Sequence, residues 1–166
     1  MRSVRAETHA GTSHRLLGSG DPNPAGERFA IQEIMRRPRV IVADDNQDVR
    51  GSLVEQLLPV TEVVAAVGDG EQLIAAAESL LPDLLIVDVS MPVLGGLDAL
   101  SRLRSTGSEA KAIVISANAT PAYLRRAVQL GASAYVLKGS VVEDLPAALQ
   151  AVSSGKFFVS SGVKKD

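Results

Sequence analysis

Five apolar runs, at 39–43, 61–67, 83–88, 111–116 and 133–137, alternate with five segments of helical character, at 46–58, 71–81, 96–105, 119–130 and 141–154. No other feature of the chain restricts its fold as strongly. Leu53, Leu57 and Leu58 recur at helical spacing in the first of these segments, and Leu73, Ile74, Ala77 and Leu80 in the second. Runs that are apolar throughout, rather than alternating, predict strands buried on both faces, as in a parallel sheet covered by helices. The alternation predicts a doubly wound α/β domain, (βα)5, over 39–154. In its flavodoxin-like form the parallel sheet has five strands in the order 2-1-3-4-5.

Hydrophobic residues make up 46% of the chain and aromatics only 3%, so the core must be aliphatic. Cysteine is absent, which excludes disulfides and thiolate metal sites. Residues 1–38 carry a charge of +2 and the remainder −4, a balance that predicts no nucleic-acid surface on the main domain. No apolar stretch approaches the roughly 20 residues needed to cross a bilayer, and the N-terminus lacks a signal-peptide core. The expectation is a soluble cytoplasmic protein with no membrane partner.

Residues 1–38 read as an extension. Residues 1–27 are rich in Gly, Ser, Thr, Pro and Arg without periodicity, which predicts disorder. Phe29, Ile31, Ile34 and Met35 predict a short helix within 28–37, stopped by Pro38. Met35, followed by Arg36-Arg37, also reads as an alternative translation start, which would make residues 1–34 an artefact. Intact mass of the natively expressed protein decides that point. Residues 155–166 read as a linker stub with no room for a further domain.

Chemistry enters where the apolar runs end. Val40-Ile41-Val42-Ala43 ends in Asp44-Asp45, and Leu84-Leu85-Ile86-Val87 ends in Asp88. In an open parallel sheet, ligands bind beyond the carboxyl ends of the strands, where the strand order reverses. Strands 1 and 3 are neighbours there, so three carboxylates converge. Such crowding is unfavourable unless a cation compensates it, and Mg2+ suits oxygen ligands beside phosphate. The competing readings are structural: Asp44-Asp45 as caps for the helix starting near Asn46, and Asp88 as a turn residue. Strand 4 ends in Ser116 and strand 5 in Lys138. A phosphoryl group on Asp88 requires positive charge and hydrogen-bond donors, which Lys138 and Ser116 supply. Taken singly, each of these two is an ordinary turn or surface residue.

The segments Val42-Ala43-Asp44-Asp45-Asn46, Val87-Asp88-Val89-Ser90-Met91-Pro92 with Gly95-Gly96-Leu97, Val114-Ile115-Ser116-Ala117 and Gly131-Ala132-Ser133-Ala134-Tyr135-Val136-Leu137-Lys138 resemble, in order, the receiver domain of two-component response regulators. The resemblance implies that Asp88 accepts a phosphoryl group from a histidine kinase. It implies that Asp45 ligates Mg2+ directly, that Asp44 assists through water, and that the Ser90 backbone carbonyl completes the protein ligands. Ser116 and Lys138 would hold the phosphoryl oxygens. Ser90 and Asn118 fall where the family tunes the lifetime of the aspartyl phosphate. Tyr135 would be the switch aromatic, its alternative being a tyrosine half-buried against the preceding helix. The implied catalysis is only of the domain's own phosphorylation and dephosphorylation.

Gly139 follows Lys138 where many receivers have Pro. With Val141-Val142-Glu143-Asp144-Leu145 and Gly155-Lys156-Phe157-Phe158-Val159, this resembles receivers joined to a LuxR-type helix-turn-helix, which implies transcription regulation in the full-length context. The alternative is a single-domain regulator acting by protein contact. Arg125, Arg126, Val141, Val142 and Leu145 are candidates for a partner or homodimer surface, or for a solvated face. A Mg2+-dependent phosphatase of the haloacid-dehalogenase type would need an acid two residues beyond Asp88, where Ser90 stands. A flavodoxin-like cofactor binder would need a phosphate-cradling loop after the first strand, where acidic residues stand.

Overall fold

A computed structural model describes residues 23–164 of the 166-residue chain. The chain divides into two units at Arg36/Arg37. In the first, helix α1 spans Pro24–Met35, with Pro24 at its first position and the Asn23 side chain accepting from the Ala25 amide. Residues 24–27, expected to be disordered, are therefore helical. The dipeptide Asn23-Pro24, read as punctuation, is a helix start. The remaining disorder expectation falls on residues outside the described ones.

The second unit contains β1 (Arg39–Ala43), α2 (Gln47–Leu57), β2 (Glu62–Val67), α3 (Gly70–Leu80), β3 (Leu84–Asp88), α4 (Gly96–Ser105), β4 (Lys111–Ser116), α5 (Pro121–Gln129), β5 (Ala134–Leu137), α6 (Val141–Ser153) and β6 (Phe158–Val159). A single 3-10 turn, Lys138–Ser140, separates β5 from α6. The sheet is parallel throughout, with order β2-β1-β3-β4-β5-β6. The predicted five-stranded order is correct but incomplete. Residues 155–166 are not simply a linker: Phe158 and Val159 pair with Ala134 and Tyr135, and Ser160 and Val163 are buried.

Period-two alternation sorts the strand side chains into two cores. Ile41, Ala43, Leu85, Val87, Ala112, Val114 and Tyr135 pack with Leu73 of α3 and Leu97, Leu100 and Leu103 of α4. Val40, Val42, Ile86, Ile113, Ile115 and Val136 pack on the other face with Leu53 and Leu57 of α2 and Leu145, Ala148 and Val152 of α6. Burying one such aliphatic side chain contributes roughly 1.5–3 kcal/mol, so the double-faced core fixes the strand register. Leu145 belongs to this core at 1% exposure and is not a surface residue. Pro146 lies inside α6, where its ring nitrogen cannot donate to the Val142 carbonyl. The Gln56 side-chain amide donates to that carbonyl instead, at 3.2 Å. Among the described residues, no helix is long and apolar enough to cross a membrane.

Candidate functional site

Each strand that carries a candidate residue delivers it to the same edge. Asp44 follows β1, Asp88 is the last residue of β3, Ser116 the last of β4, and Lys138 the first residue after β5. Because the sheet is parallel, all four lie at its carboxyl edge. Asp44, Asp45 and Asp88 each present one carboxylate oxygen within 4.8 Å of the others. Asp44 and Asp88 are buried, at 0% and 1% exposure, whereas Asp45 is exposed.

The capping alternative for Asp44-Asp45 does not hold. Asn46 caps α2, its side chain accepting from the Asp48 and Val49 amides. Asp44 Oδ1 accepts from the Asn46 amide at 2.9 Å. Asp44 Oδ2 is buried with no aligned hydrogen bond, although Lys138 Nζ stands 3.1 Å away. The Lys138 contact is thus an attraction between charges that leaves this oxygen's lone pairs open. A buried carboxylate oxygen left this way costs free energy unless a further cation or donor meets it. That orphaned oxygen, beside two more carboxylates, fits a hard divalent cation.

Asp88 is held from two sides. Its Oδ2 accepts from Lys138 Nζ at 2.9 Å and its Oδ1 from the Ser90 amide at 3.2 Å. Burial raises its pKa above the ordinary value. The Lys138 hydrogen bond opposes this, the Asp44 charge reinforces it, and the Ser90 amide opposes it more weakly. For Lys138, burial disfavours the ammonium, but its hydrogen bond to Asp88 and the attraction of the Asp88 and Asp44 carboxylates outweigh that and raise its pKa. At neutral pH it is charged.

Ser116 is buried, and its Oγ accepts from the Asn118 amide at 2.9 Å. The Tyr135 hydroxyl donates to the Asn118 carbonyl at 2.8 Å. Tyr135 is fully rather than half buried, and burial raises its phenol pKa, with Ser116 working the other way. Ser116, Asn118 and Tyr135 therefore form one connected group beside the carboxylates. Ser90 and Asn118 are exposed on either flank.

Some contributors were not singled out from sequence. The Arg50 guanidinium donates to the Asp44 carbonyl at 2.6 Å. A Cβ on Gly96 would lie 1.9 Å from the Asp88 carbonyl oxygen, so only glycine lets α4 begin directly against the end of β3. A Cβ on Gly70 would lie 2.3 Å from the Leu94 carbonyl oxygen, so the start of α3 fixes the β3–α4 loop in the same way. Arg50 has no sequence signal. Gly96 had one, in Gly95-Gly96, but only as part of a resemblance.

Residues 40–150 match the response regulator receiver domain family. The chain is 35% identical over 121 residues to the uncharacterized transcriptional regulatory protein YvfU of Bacillus subtilis, covering 71% of this chain and 60% of that protein. It is 32% identical over 131 residues to the nitrate/nitrite response regulator protein NarL of Escherichia coli, covering 77% and 61%. The chain thus spans about 60% of the length of these relatives. The isolated REC domain of RcsB from Salmonella enterica serovar Typhimurium, solved in the presence of the phosphomimetic BeF3−, superposes with a TM-score of 0.71. It is 30% identical, and the match covers 77% of this chain and 96% of that one.

Proposed function

The chain belongs to the response-regulator receiver family of two-component signalling, and on that premise we propose that Asp88 is its phosphoacceptor. The observation that carries this reading is the position of the Asp88 carboxylate, buried at the end of β3 between two further carboxylates and the Lys138 ammonium. In the proposed step an Asp88 carboxylate oxygen attacks the phosphorus of a histidine kinase's phosphohistidine. The phosphorus–nitrogen bond breaks, its electron pair stays on the imidazole nitrogen, and an acyl phosphate forms on Asp88.

The chain's own residues do the positioning. Lys138 is already 2.9 Å from Asp88 and meets the negative charge of the incoming phosphoryl oxygens. The Ser116 hydroxyl donates to one of those oxygens once the loop after β4 moves. Asn118 moves with that loop, so the Tyr135–Asn118 bond carries the change outward. Exposed Ser90 and Asn118 regulate water access and hence acyl-phosphate lifetime.

Asp44, Asp45, Asp88 and the Ser90 backbone carbonyl would hold Mg2+. When bound, Mg2+ supplies positive charge against the carboxylates and phosphoryl oxygens. The domain catalyses only its own phosphorylation and dephosphorylation, in the cytoplasm. In the longer context of its relatives it would control transcription, with phosphorylation favouring a homodimer and no nucleic acid bound by this chain itself.

The test is NMR of amide shifts on adding beryllofluoride with Mg2+. The wild type is expected to shift around Asp88, Ser116–Asn118, Tyr135 and Lys138, and Asp88→Asn is expected not to respond. Equal responses would remove the phosphoacceptor assignment.

A further inference from the structure

Lys138 is carried by the three-residue turn Lys138–Ser140. The middle residue, Gly139, has open space where a Cβ would stand, and its φ lies outside the left-handed region. Nothing steric requires glycine there. Glycine increases the freedom of the backbone. Yet the ammonium must be held 2.9 Å from one carboxylate and 3.1 Å from another. The Val141 amide donates to the Lys138 carbonyl across the turn, and further restraint comes from outside it.

It comes from two side chains with no part in the acidic crevice. Ser160, just beyond β6, is 1% exposed. The Leu137 amide donates to Ser160 Oγ at 3.0 Å, immediately before Lys138. Ser160 Oγ donates in turn to Asp144 Oδ2 at 2.5 Å. Ser140 Oγ, at the other end of the turn, donates to the same Asp144 oxygen at 2.6 Å. The Ser160 amide also donates to the Tyr135 carbonyl at 3.0 Å. Both ends of the flexible turn are therefore tied to a single carboxylate oxygen through two hydroxyls.

We propose that Asp144 and Ser160 are positioning residues for Lys138, clamping the turn so that its ammonium faces Asp88. The C-terminal segment is then part of the phosphoryl site's support. The inference rests on the reading of Lys138 as the partner of the phosphoryl oxygens.

The experiment measures beryllofluoride affinity of the full chain, with Mg2+, by amide-shift titration. Losing a group that orients a ligand typically weakens binding about tenfold, and Ser160→Ala and Asp144→Asn are each expected to do so. Thr61→Ala is the control. It removes another buried hydroxyl, one that donates to the Leu57 carbonyl away from the site. It should lower Tm while leaving affinity unchanged. Stiffening the turn by Gly139→Ala in the Ser160→Ala background should recover about threefold in affinity. Wild-type affinity in Ser160→Ala and Asp144→Asn, or no recovery in the double variant, overturns the proposal. Should Ser160→Ala not fold, Asp144→Asn decides alone. Undiminished binding by Asp88→Asn would instead sink the phosphoacceptor reading, whichever way the clamp variants behave.

Discussion

The two edges of the sheet use charge in opposite ways. At the amino edge, basic side chains end helices. Arg39 donates to the Leu80 carbonyl at the end of α3, and Lys111 Nζ donates to the Val152 carbonyl of α6 at 3.0 Å. Arg104, at the end of α4, donates to the Leu130, Ser108 and Gly131 carbonyls. In a parallel sheet with helical crossovers, helix C-termini gather at this edge, so cations there meet unpaired carbonyls and the negative end of the helix dipole. Each such charge has partners and stabilises the fold. At the carboxyl edge, Asp44 and Asp88 share the Lys138 ammonium, Asp45 stands close to both, and Asp44 Oδ2 lacks an aligned donor. Arg50 reaches only the Asp44 backbone carbonyl there, so carboxylates crowd together with few cations, which is the balance that the proposed cation site needs. One fold thus separates its stability from its chemistry by the direction of its strands.

The comparison breaks if charges at the amino edge affect the site. Arg104→Ala removes three donors to carbonyls, and is expected to cost about 2 kcal/mol, lowering Tm by roughly 6–10 °C in thermal unfolding. Its beryllofluoride affinity should equal that of wild type. Lys111→Ala removes one helix-end contact, and should cost only about 0.5 kcal/mol, or roughly 2 °C, again with unchanged affinity. A loss of affinity in either variant would mean that the two edges are coupled.

What the sequence disclosed follows from the same physics. The strands were legible because their apolar runs are continuous: 39–43 and 111–116 match β1 and β4 residue for residue. The carboxylates, Ser116 and Lys138 were legible because each interrupts or follows such a run. β6 was not, since two residues, Phe158 and Val159, carry no periodicity. The helix start at Pro24 was hidden by reading Asn23-Pro24 as a turn rather than as a cap and first residue. The Ser140–Asp144–Ser160 clamp joins polar residues that look like ordinary surface positions, and only the return of the chain along β5 brings Ser160 to Asp144. Leu145 was misassigned to the surface because both faces of a short amphipathic segment carry leucine and valine.

Three carboxylates gathered at the carboxyl edge repel one another, and a bound cation would relieve that repulsion. Asp88 has a folded-state pKa above the ordinary 3.8. Its contribution to stability is therefore fully present below that value and is lost as pH rises through the folded pKa. At neutral pH without divalent cations, Asp88→Asn should then unfold at a higher temperature than wild type. Below pH 3.8 that advantage should vanish. Mg2+ at ten times its dissociation constant should raise wild-type stability by about 1.4 kcal/mol and leave Asp88→Asn nearly unchanged. The decisive measurement is the Tm of both proteins at neutral pH, with and without Mg2+. The variant is expected to be the more stable without Mg2+, and the order is expected to reverse with it. A wild type that is already the more stable without Mg2+, or an equal response of both proteins to the ion, would contradict this expectation.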